Sequence, residues 1–305
     1  MKKNKIWITF VIIHVIFMGV WGALIEIPEK NGFPATLGYV VWALTMIPAA
    51  IAALVINKWK LEYDKRSIFW GCLAGLLGAI GQLVLFFILK ISPAYLVFPL
   101  LSLTPVVTIL LAVFLLKEKT SRAGWIGIVI AIVAILLLSY QPPGNDNSNG
   151  YLWMLLAAIP LLSWGAQGYV MRFANETMKA ESIFFYMMIS SIVLIPVALW
   201  MTDFSQPINW GFKGPYLAGL IQILNAFGAL CLVYAFRYGK AIIIAPMTTA
   251  LSPVLTVIIS LGIYAIIPHA FIIGGMILAI VSAFLMGVEE TKMDKIDEKP
   301  NLTKV

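Results

Sequence analysis

Long apolar stretches separated by short charged segments dominate the pattern of this sequence. Runs without Asp, Glu, Lys or Arg cover residues 6–25, 31–57, 67–89, 91–116, 123–145, 147–171, 182–202, 214–236 and 241–288. A helix needs about 20 apolar residues to cross the hydrocarbon core of a bilayer, so the first eight runs each fit one crossing. The ninth run has 48 residues, which is too long for one crossing, and Pro268 and His269 offer a break in its middle.

The pattern therefore predicts ten membrane-spanning helices, numbered here as spans 1 to 10. The runs are continuously apolar and do not alternate as barrel strands do, which favours helices. The predicted bounds are 6–26, 34–56, 68–89, 93–116, 122–140, 151–171, 182–201, 214–236, 241–263 and 270–287. The predicted class is an all-α, polytopic membrane protein, with residues 1–305 forming a single membrane domain.

The overall composition supports a membrane protein. Of the 305 residues, 61% are apolar and 11% are charged, whereas soluble domains carry roughly 25% charged residues. So few charged side chains cannot cover the surface of a soluble domain, which excludes a soluble enzyme, a disordered chain and a nucleic-acid-binding protein. The two cysteines, Cys72 and Cys231, lie in separate apolar runs without any metal-ligand spacing, so we expect neither a metal site nor a cofactor.

The distribution of Lys and Arg predicts the orientation in the membrane. If the N-terminus is cytoplasmic, the cytoplasmic segments hold 18 of these residues and the opposite side holds only Lys30, Lys90 and Lys213. Cytoplasmic loops of membrane proteins carry an excess of Lys and Arg. We therefore expect both termini in the cytoplasm, and this asymmetry accounts for the net charge of +7 without an anionic partner.

The chain also contains an internal repeat. Residues 21–23 (Trp-Gly-Ala) recur at 164–166, an offset of 143, and residues 103–105 (Leu-Thr-Pro) recur as Leu-Ser-Pro at 251–253, an offset of 148. Further matches keep offsets of 147 or 148, among them Ile47-Pro48 with Ile195-Pro196, Gly81 with Gly228, Pro99 with Pro246 and Gly127 with Gly275. The repeats are predicted at 6–140 and 151–287, followed by a cytoplasmic tail at 288–305.

Each repeat has five predicted spans, and this odd number sets their relative orientation. The second repeat must enter the bilayer from the opposite side, so the two repeats are inverted with respect to each other. Inverted repeats are typical of secondary transporters, whose substrate sites lie near the membrane midplane between the repeats. The architecture therefore predicts a transporter that works by alternating access.

These residues resemble the drug/metabolite transporter superfamily, and within it the ten-helix EamA-type transporters. The resemblance covers about residues 6–287. Its motifs are the Trp-Gly pairs of spans 1 and 6, the segment 114–119 (Phe-Leu-Leu-Lys-Glu-Lys), and the segment 122–127 (Arg-Ala-Gly-Trp-Ile-Gly). It implies a transporter in the inner or plasma membrane that imports or exports small metabolites.

The sequence departs from that pattern in two places. The second repeat has no Glu matching Glu118. Span 1 lacks the mid-membrane Glu that the related small multidrug pumps use for proton coupling, and its core holds only His14, which argues against proton antiport by that device.

Two amides of span 8 are candidates for substrate binding. Gln222 and Asn225 are three residues apart and so share one helix face, and the repeat maps this face onto Gly75, Gly78 and Gln82 of span 3. Polar residues inside a span are costly and often functional. These faces either line a cavity that binds a polar substrate or pack tightly with amides as interhelical contacts.

Matching prolines mark spans 4 and 9 as kinked. They are Pro99, Pro105, Pro246 and Pro253. An internal proline frees the carbonyl four residues earlier, which makes Tyr95 a candidate, and Thr104 and Ser252 lie beside the second proline of each span. Kinks at matching places in two repeats indicate a transporter site; the alternative is a structural kink satisfied by neighbouring helices.

Aromatic and titratable residues complete the set of candidates. Trp21 and Trp164 are predicted to stack on substrate or to form gating layers, with packing or an interfacial tryptophan as the alternative. Gln167 lies one turn from Trp164 and is predicted to face the inner vestibule. His14 is a candidate for carrying a proton or binding substrate, or is a neutral histidine bonded to a neighbouring helix. Glu26 is either a charge in the outer vestibule or a solvated helix end.

Three functional classes compete for this pattern. A membrane enzyme acting on lipid or peptide needs clustered acid, His or Ser chemistry at one depth, and the spans offer none, so no catalytic residue is predicted. A channel needs a ring of repeated polar residues, whereas this chain offers two halves around one centre, which disfavours a channel. The favoured function is a secondary transporter, of the EamA type or a sugar-uptake permease of the same superfamily.

The polar but almost uncharged span interiors predict a neutral, zwitterionic or aromatic metabolite as the substrate. An anionic substrate would require a fixed Arg or Lys at mid-depth, and the apolar runs contain neither. The other expected partners are the lipid bilayer and, as a candidate coupling ion, the proton. The protein is expected to be a monomer or a homodimer.

Overall fold

Helices make up almost all of the computed structural model, which describes residues 6–91, 101, 103–138, 140, 152–264 and 269–297. Their bounds are α1 Ile6–Leu24, α2 Glu26–Lys30, α3 Ala35–Ile56, α4 Lys65–Ile91, α5 Thr104–Phe114, α6 Arg122–Leu138, α7 Leu152–Thr177, α8 Ala180–Val193, α9 Ile195–Trp200, α10 Leu217–Tyr238, α11 Ala241–Tyr264 and α12 Ala270–Asp297. A π-helical turn, Phe212–Tyr216, precedes α10. None of the described residues forms a strand, and the predicted all-α class is confirmed.

Several described helices are suited to a membrane. Five helical segments are long and apolar enough to cross one, judged by length and composition: Ile6–Lys30, Ala35–Ile56, Lys65–Leu85, Ala180–Trp200 and Phe212–Tyr238. Four shorter apolar helices are Thr104–Phe114, Arg122–Leu137, Ala241–Thr256 and Ala270–Met286. The five long segments coincide with predicted spans 1, 2, 3, 7 and 8.

The structure departs from the predicted bounds where proline or polar sequence intervenes. Span 7 is split at Leu194 into α8 and α9 because Pro196, in the first turn of α9, lacks the N–H that a continuous helix requires. Pro105 also lies in the first turn of its helix, α5, and not in a helix interior as predicted. The last helix continues ten residues past its predicted end, to Asp297, into the segment predicted as a tail.

Contacts between the helices follow the predicted two-fold relation. The first helix of the first repeat, α1, packs on α10 and α11, the third and fourth helices of the second repeat. The first helix of the second repeat, α7, packs on α4 and α5 in the same way. The second helices pair as α3 with α8, and the fifth as α6 with α12. The two inverted repeats therefore interlock.

Glycines on α4 allow this close interlocking. A Cβ on Gly75 would lie 2.6 Å from Ser190 Cβ and 2.7 Å from the Met187 Cα of α8, and one on Gly71 would lie 2.5 Å from Tyr186 Cδ2. Such distances are far shorter than a van der Waals contact, so only glycine fits. Helices in membranes associate through small residues in this way because backbone proximity maximises packing.

Candidate functional site

Helices α1 and α10 form an antiparallel pair whose polar groups meet in register. Trp21 Nε1–H donates to Gln222 Oε1 at 3.0 Å. One turn further along, Asn225 Nδ2 lies 3.7 Å from Met18 Sδ. A further turn along, His14 Nδ1–H donates to the carbonyl oxygen of Gly228 at 2.8 Å. The order of these contacts places the predicted amide face of α10 against the predicted tryptophan of α1.

A third helix, α3, contributes a tryptophan to the same place. Trp42 Nε1–H donates to Asn225 Oδ1 at 2.7 Å. Gln222 is buried, while Trp21, Trp42 and Asn225 are half-buried. These four residues form what we call the amide–tryptophan cluster, which joins two helices of the first repeat to one of the second.

The chemistry of the amide–tryptophan cluster suits a neutral ligand. An indole offers a large apolar face and one N–H donor, which must find a partner when buried. Each indole donor is paired with an amide oxygen, and among the described hydrogen bonds the NH2 group of Gln222 is not used. A flat or polar ligand between the repeats would meet stacking faces together with an amide donor.

At the related interface of α7 with α4, the predicted polar residues bond to the backbone. Trp164 Nε1–H donates to the Gly78 carbonyl at 3.2 Å, and Gln167 Nε2–H donates to the Ala74 carbonyl at 3.0 Å. A Cβ on Gly78 would lie 2.3 Å from Gln167 Nε2, and one on Gly81 would lie 2.4 Å from Trp164 Nε1. Trp164 and Gln167 therefore pack α7 onto α4 through bonds to its backbone, whereas the amides of α10 bond to tryptophan side chains.

Two threonines tie the fourth helix of each repeat to the first helix of the other. Thr108 Oγ1–H donates to the Gly165 carbonyl at 2.9 Å, and Thr256 Oγ1–H donates to the Gly19 carbonyl at 3.1 Å. The two threonines are 148 residues apart, which is the offset of the surrounding repeat. This pair was missed by sequence reasoning, although its offset was a signal for it.

Trp42 was also missed by sequence reasoning. It lies near the middle of predicted span 2, and an indole N–H at that depth needs a hydrogen-bond partner. Span 2 has no amide of its own, so the partner of this N–H had to come from another helix. The need for such a partner was the signal that could have identified Trp42.

The remaining candidates lie outside the amide–tryptophan cluster. Thr104 Oγ1–H donates to the Leu101 carbonyl, and Ser252 Oγ is buried without a described partner. Gln82 is half-buried. Pro246 and Pro253 lie inside α11, as predicted.

The titratable candidates are His14 and Glu26. His14 is buried and bonded to the neighbouring helix, which matches the structural alternative for this residue. Glu26 is the first residue of α2. Tyr95 and Pro99 lie outside the described residues. Among the described residues, no three His, Cys, Asp or Glu side chains are grouped as metal ligands would be.

A separate groove of about 360 Å³ lies between α4, α7 and the segment around α9. It is lined by Ile80, Leu83, Val84, Phe87, Leu156, Leu194, Val197, Trp200 and Met201. All of these side chains are apolar or aromatic, so the groove has the character of a lipid-facing surface and not of a polar substrate site.

Fold and interfaces together define a polytopic membrane protein built from two inverted five-helix repeats. The model of the EamA-like transporter family matches this chain twice, at residues 5–140 and 149–288. The chain therefore belongs to the EamA-like transporter family, of the drug/metabolite transporter superfamily, and the resemblance noted in the sequence is confirmed.

Known proteins similar to the chain agree with this membership. LicB of Haemophilus influenzae is 27% identical over 241 residues, which cover 75% of this chain and 79% of LicB. The S-adenosylmethionine uptake transporter of Rickettsia conorii is 24% identical over 258 residues, which cover 81% of this chain and 83% of that protein. A solved crystal structure with 16% identity superposes with a TM-score of 0.74, covering 91% of this chain and 98% of the other, which shows a shared fold.

Proposed function

We propose that the protein is a secondary transporter, and not an enzyme, which moves a small neutral, zwitterionic or aromatic metabolite by alternating access. The observation that carries this proposal is the amide–tryptophan cluster, where Trp21 and Trp42 of one repeat bond to Gln222 and Asn225 of the other. A site between inverted repeats is where secondary transporters bind their substrates.

The chemistry of this cluster supports the substrate class. Indole faces stack on flat or apolar groups, and amides hydrogen-bond to hydroxyl, carboxyl or amino groups without carrying charge. The apolar runs that form the spans contain no Lys or Arg to hold an anion. The Rickettsia conorii relative is named as an S-adenosylmethionine uptake transporter; that cargo has an aromatic ring and an amino-acid group but also a sulfonium cation, so it matches only the aromatic part of the proposed class.

The interlocked contacts support alternating access. Helix α1 bonds to α10 through its side chains and to α11 through the Gly19 carbonyl, which accepts from Thr256. When the repeats rearrange, α1 must therefore shift against both α10 and α11. The corresponding contacts of α7 with α4 and α5 would change in the opposite sense. Exchange between two such arrangements would open the site first to one face and then to the other.

The excess of Lys and Arg supports the orientation and location. We place the protein in the inner or plasma membrane with both termini in the cytoplasm, following the positive-inside rule. The repeats at 6–140 and 151–287 act as one membrane domain with the tail at 288–305. The partners are the metabolite and the bilayer, with a proton as the candidate coupling ion and a monomer or homodimer as the assembly.

The experiment is uptake of a radiolabelled panel by purified protein in liposomes, with and without a pH gradient. The panel holds amino acids, nucleosides, sugars and organic anions. We expect flux of a neutral or zwitterionic member, and we expect Asn225→Leu to abolish it. The matched amide variant Gln167→Leu should retain the substrate preference, because Gln167 bonds to the backbone of α4. Flux of organic anions alone would contradict the proposal.

A further inference from the structure

A buried carboxylate of the first repeat holds two helices of the second repeat. Glu118, in the loop between α5 and α6, accepts Arg172 Nε–H on Oε1 at 3.0 Å and Ile242 N–H on Oε2 at 3.0 Å. Its side chain is only 6% exposed. Arg172 belongs to α7, and Ile242 lies in the first turn of α11, where backbone N–H groups lack partners within the helix. Glu118 thus caps α11 from the opposite repeat.

A second carboxylate makes the same kind of contact nearby. Glu62, in the loop between α3 and α4, accepts Lys179 N–H at 3.2 Å and the hydroxyl of Ser182. The Glu62 N–H donates back to Ser182 Oγ at 3.2 Å, and its carbonyl accepts Tyr186 OH at 2.6 Å. Lys179 is the N-cap residue of α8 and Ser182 lies in its first turn, so Glu62 binds the start of this helix from the first repeat.

Both contacts lie at the face where α1 begins and α12 ends, which we call the terminal face. The loops that carry Glu62 and Glu118 bend sharply there, with positive φ angles at Lys58, Trp59 and Lys117. Two first-repeat loops therefore deliver carboxylates to two second-repeat helix ends.

The internal repeat has neutral residues at the sequence positions that match the two carboxylates. At the 147 offset Glu62 corresponds to Asn209, which bonds through its backbone N–H to the Gly32 carbonyl at 3.0 Å. Gly32 corresponds to Lys179 at the same offset, so the same two positions meet at both faces, although Lys179 N–H donates to the Glu62 carboxylate and Asn209 N–H donates to the Gly32 carbonyl. At the 148 offset Glu118 corresponds to Ile266. Of the matching positions, only those of the first repeat carry carboxylates.

We propose that Glu62 and Glu118 act together as a gate latch that holds the terminal face closed, and that their release lets α8 and α11 separate from the first repeat. This proposal rests on the proposed transport function and names residues that control access to its site. Charge-assisted hydrogen bonds to a helix end are about twice as strong as neutral ones. The bonds of Glu62 and Glu118 are therefore suited to holding α8 and α11 against the first repeat.

Other charged groups surround the two carboxylates. Arg172 also pairs with Glu176 at 3.2 Å, and Lys240 lies close enough to Glu118 to attract its charge. Around Glu62, Lys179 Nζ–H donates to Asn57 Oδ1 at 2.8 Å. Glu176 is 47% exposed and shares Arg172 with Glu118. It therefore serves as the exposed control for the buried Glu118.

The test uses cysteine reporters under the latch. Ala180 and Ala241 are the first residues of α8 and α11 and are fully buried. Each is changed to Cys in a chain with Cys72→Ser and Cys231→Ser, and its reaction rate with a charged, water-soluble maleimide is measured on purified protein. We expect Glu118→Ala to raise the rate at both reporters by about tenfold or more, the effect of losing a charge-assisted hydrogen bond. Glu62→Ala should do the same.

The control variant is Glu176→Ala, which should leave the maleimide reaction rates of both reporters unchanged. A rise only at the reporter next to the changed acid would mean local fraying of one helix end and would overturn the single gate, as would unchanged rates. If an alanine variant does not fold, Glu118→Asp, which keeps the charge but is too short to reach both donors, should give an intermediate rise. No substrate enters the measurement, so failure of the transport proposal would be seen separately in the liposome assay.

Discussion

Trp21 of the first repeat and Gln222 of the second are joined by a 3.0 Å hydrogen bond from the indole Nε1–H to the amide Oε1. The equivalent tryptophan of the other repeat, Trp164, bonds instead to the backbone carbonyl of Gly78. The two interfaces are related by the repeat, yet the tryptophan bonds to an amide side chain in the first and to the backbone in the second. We expect a substrate to compete for the amides of the first interface.

This difference gives different expectations for the two tryptophans. Trp21→Phe keeps the ring but removes the N–H that holds Gln222, so we expect the KM for substrate to rise severalfold, together with a loss of about 1 kcal/mol in stability from the missing hydrogen bond. Trp164→Phe should lower stability by a similar amount, about 1 kcal/mol, but leave KM unchanged. Liposome kinetics and thermal unfolding of both variants make the comparison.

The control for this pair is Trp125→Phe. Trp125 lies on α6 and is exposed at the surface of the helix bundle, so the same chemical change there should affect neither quantity. Equal effects of Trp21→Phe and Trp164→Phe on KM would show that the two interfaces are functionally alike.

A glycine of α4 should be intolerant of a single methyl group. In Gly75→Ala the new Cβ would meet the Met187 backbone of α8 at 2.7 Å, and overpacking of this kind costs about 1–3 kcal/mol. We expect a lower melting temperature in detergent. Gly38→Ala is the matched control, because no atom lies within 4 Å of its added Cβ; equal melting temperatures of the two variants would refute the close approach of α4 and α8.

The two cross-repeat threonines should contribute similarly. Thr108→Val and Thr256→Val remove hydroxyls that donate to Gly165 and Gly19 while keeping their shape. Each should lower the free energy of unfolding by about 0.5–1 kcal/mol. In Thr248→Val the lost bonds lie within α11 itself, so the inter-repeat distance measured by spin labels should change for the first two variants only.

His14 should behave as a packing residue. Its ring N–H bonds to the Gly228 carbonyl at 2.8 Å, so His14→Gln, which keeps a donor, should leave the dependence of flux on a pH gradient unchanged. Gradient-driven and gradient-free flux in liposomes provide the measurement. Loss of the gradient-driven component alone would assign His14 to proton coupling.

Much of the fold could be predicted from the sequence because the bilayer imposes a simple requirement. Spans must be apolar and about 20 residues long, so charged residues marked their ends. The break at Leu194 and the continuation of the last helix to Asp297 escaped prediction. The first depends on how a local proline is accommodated, and the second on a polar helix that hydropathy cannot distinguish from a tail.

The candidate site was predicted less completely. Gln222 and Asn225 stood out because amides are rare in apolar helices, and the structure gives them tryptophan partners. Trp42 did not stand out, because its role depends on which helix packs against α3. Trp164 differs from Trp21 because glycines of α4 leave room for its indole to reach a backbone carbonyl. Such close packing between helices that are distant in sequence cannot be deduced from the sequence pattern.

The inverted arrangement of the two repeats is tested most directly by mapping which face of the membrane each segment occupies. Single cysteines at Lys3, at Lys304 and in the linker 145–149 would be labelled with a membrane-impermeant reagent in intact cells and in everted vesicles. We expect the two termini to be labelled only in everted vesicles and the linker only in intact cells. Labelling of the termini from different faces, or of the linker from the same face as the termini, would contradict the inverted repeat and the site between its halves.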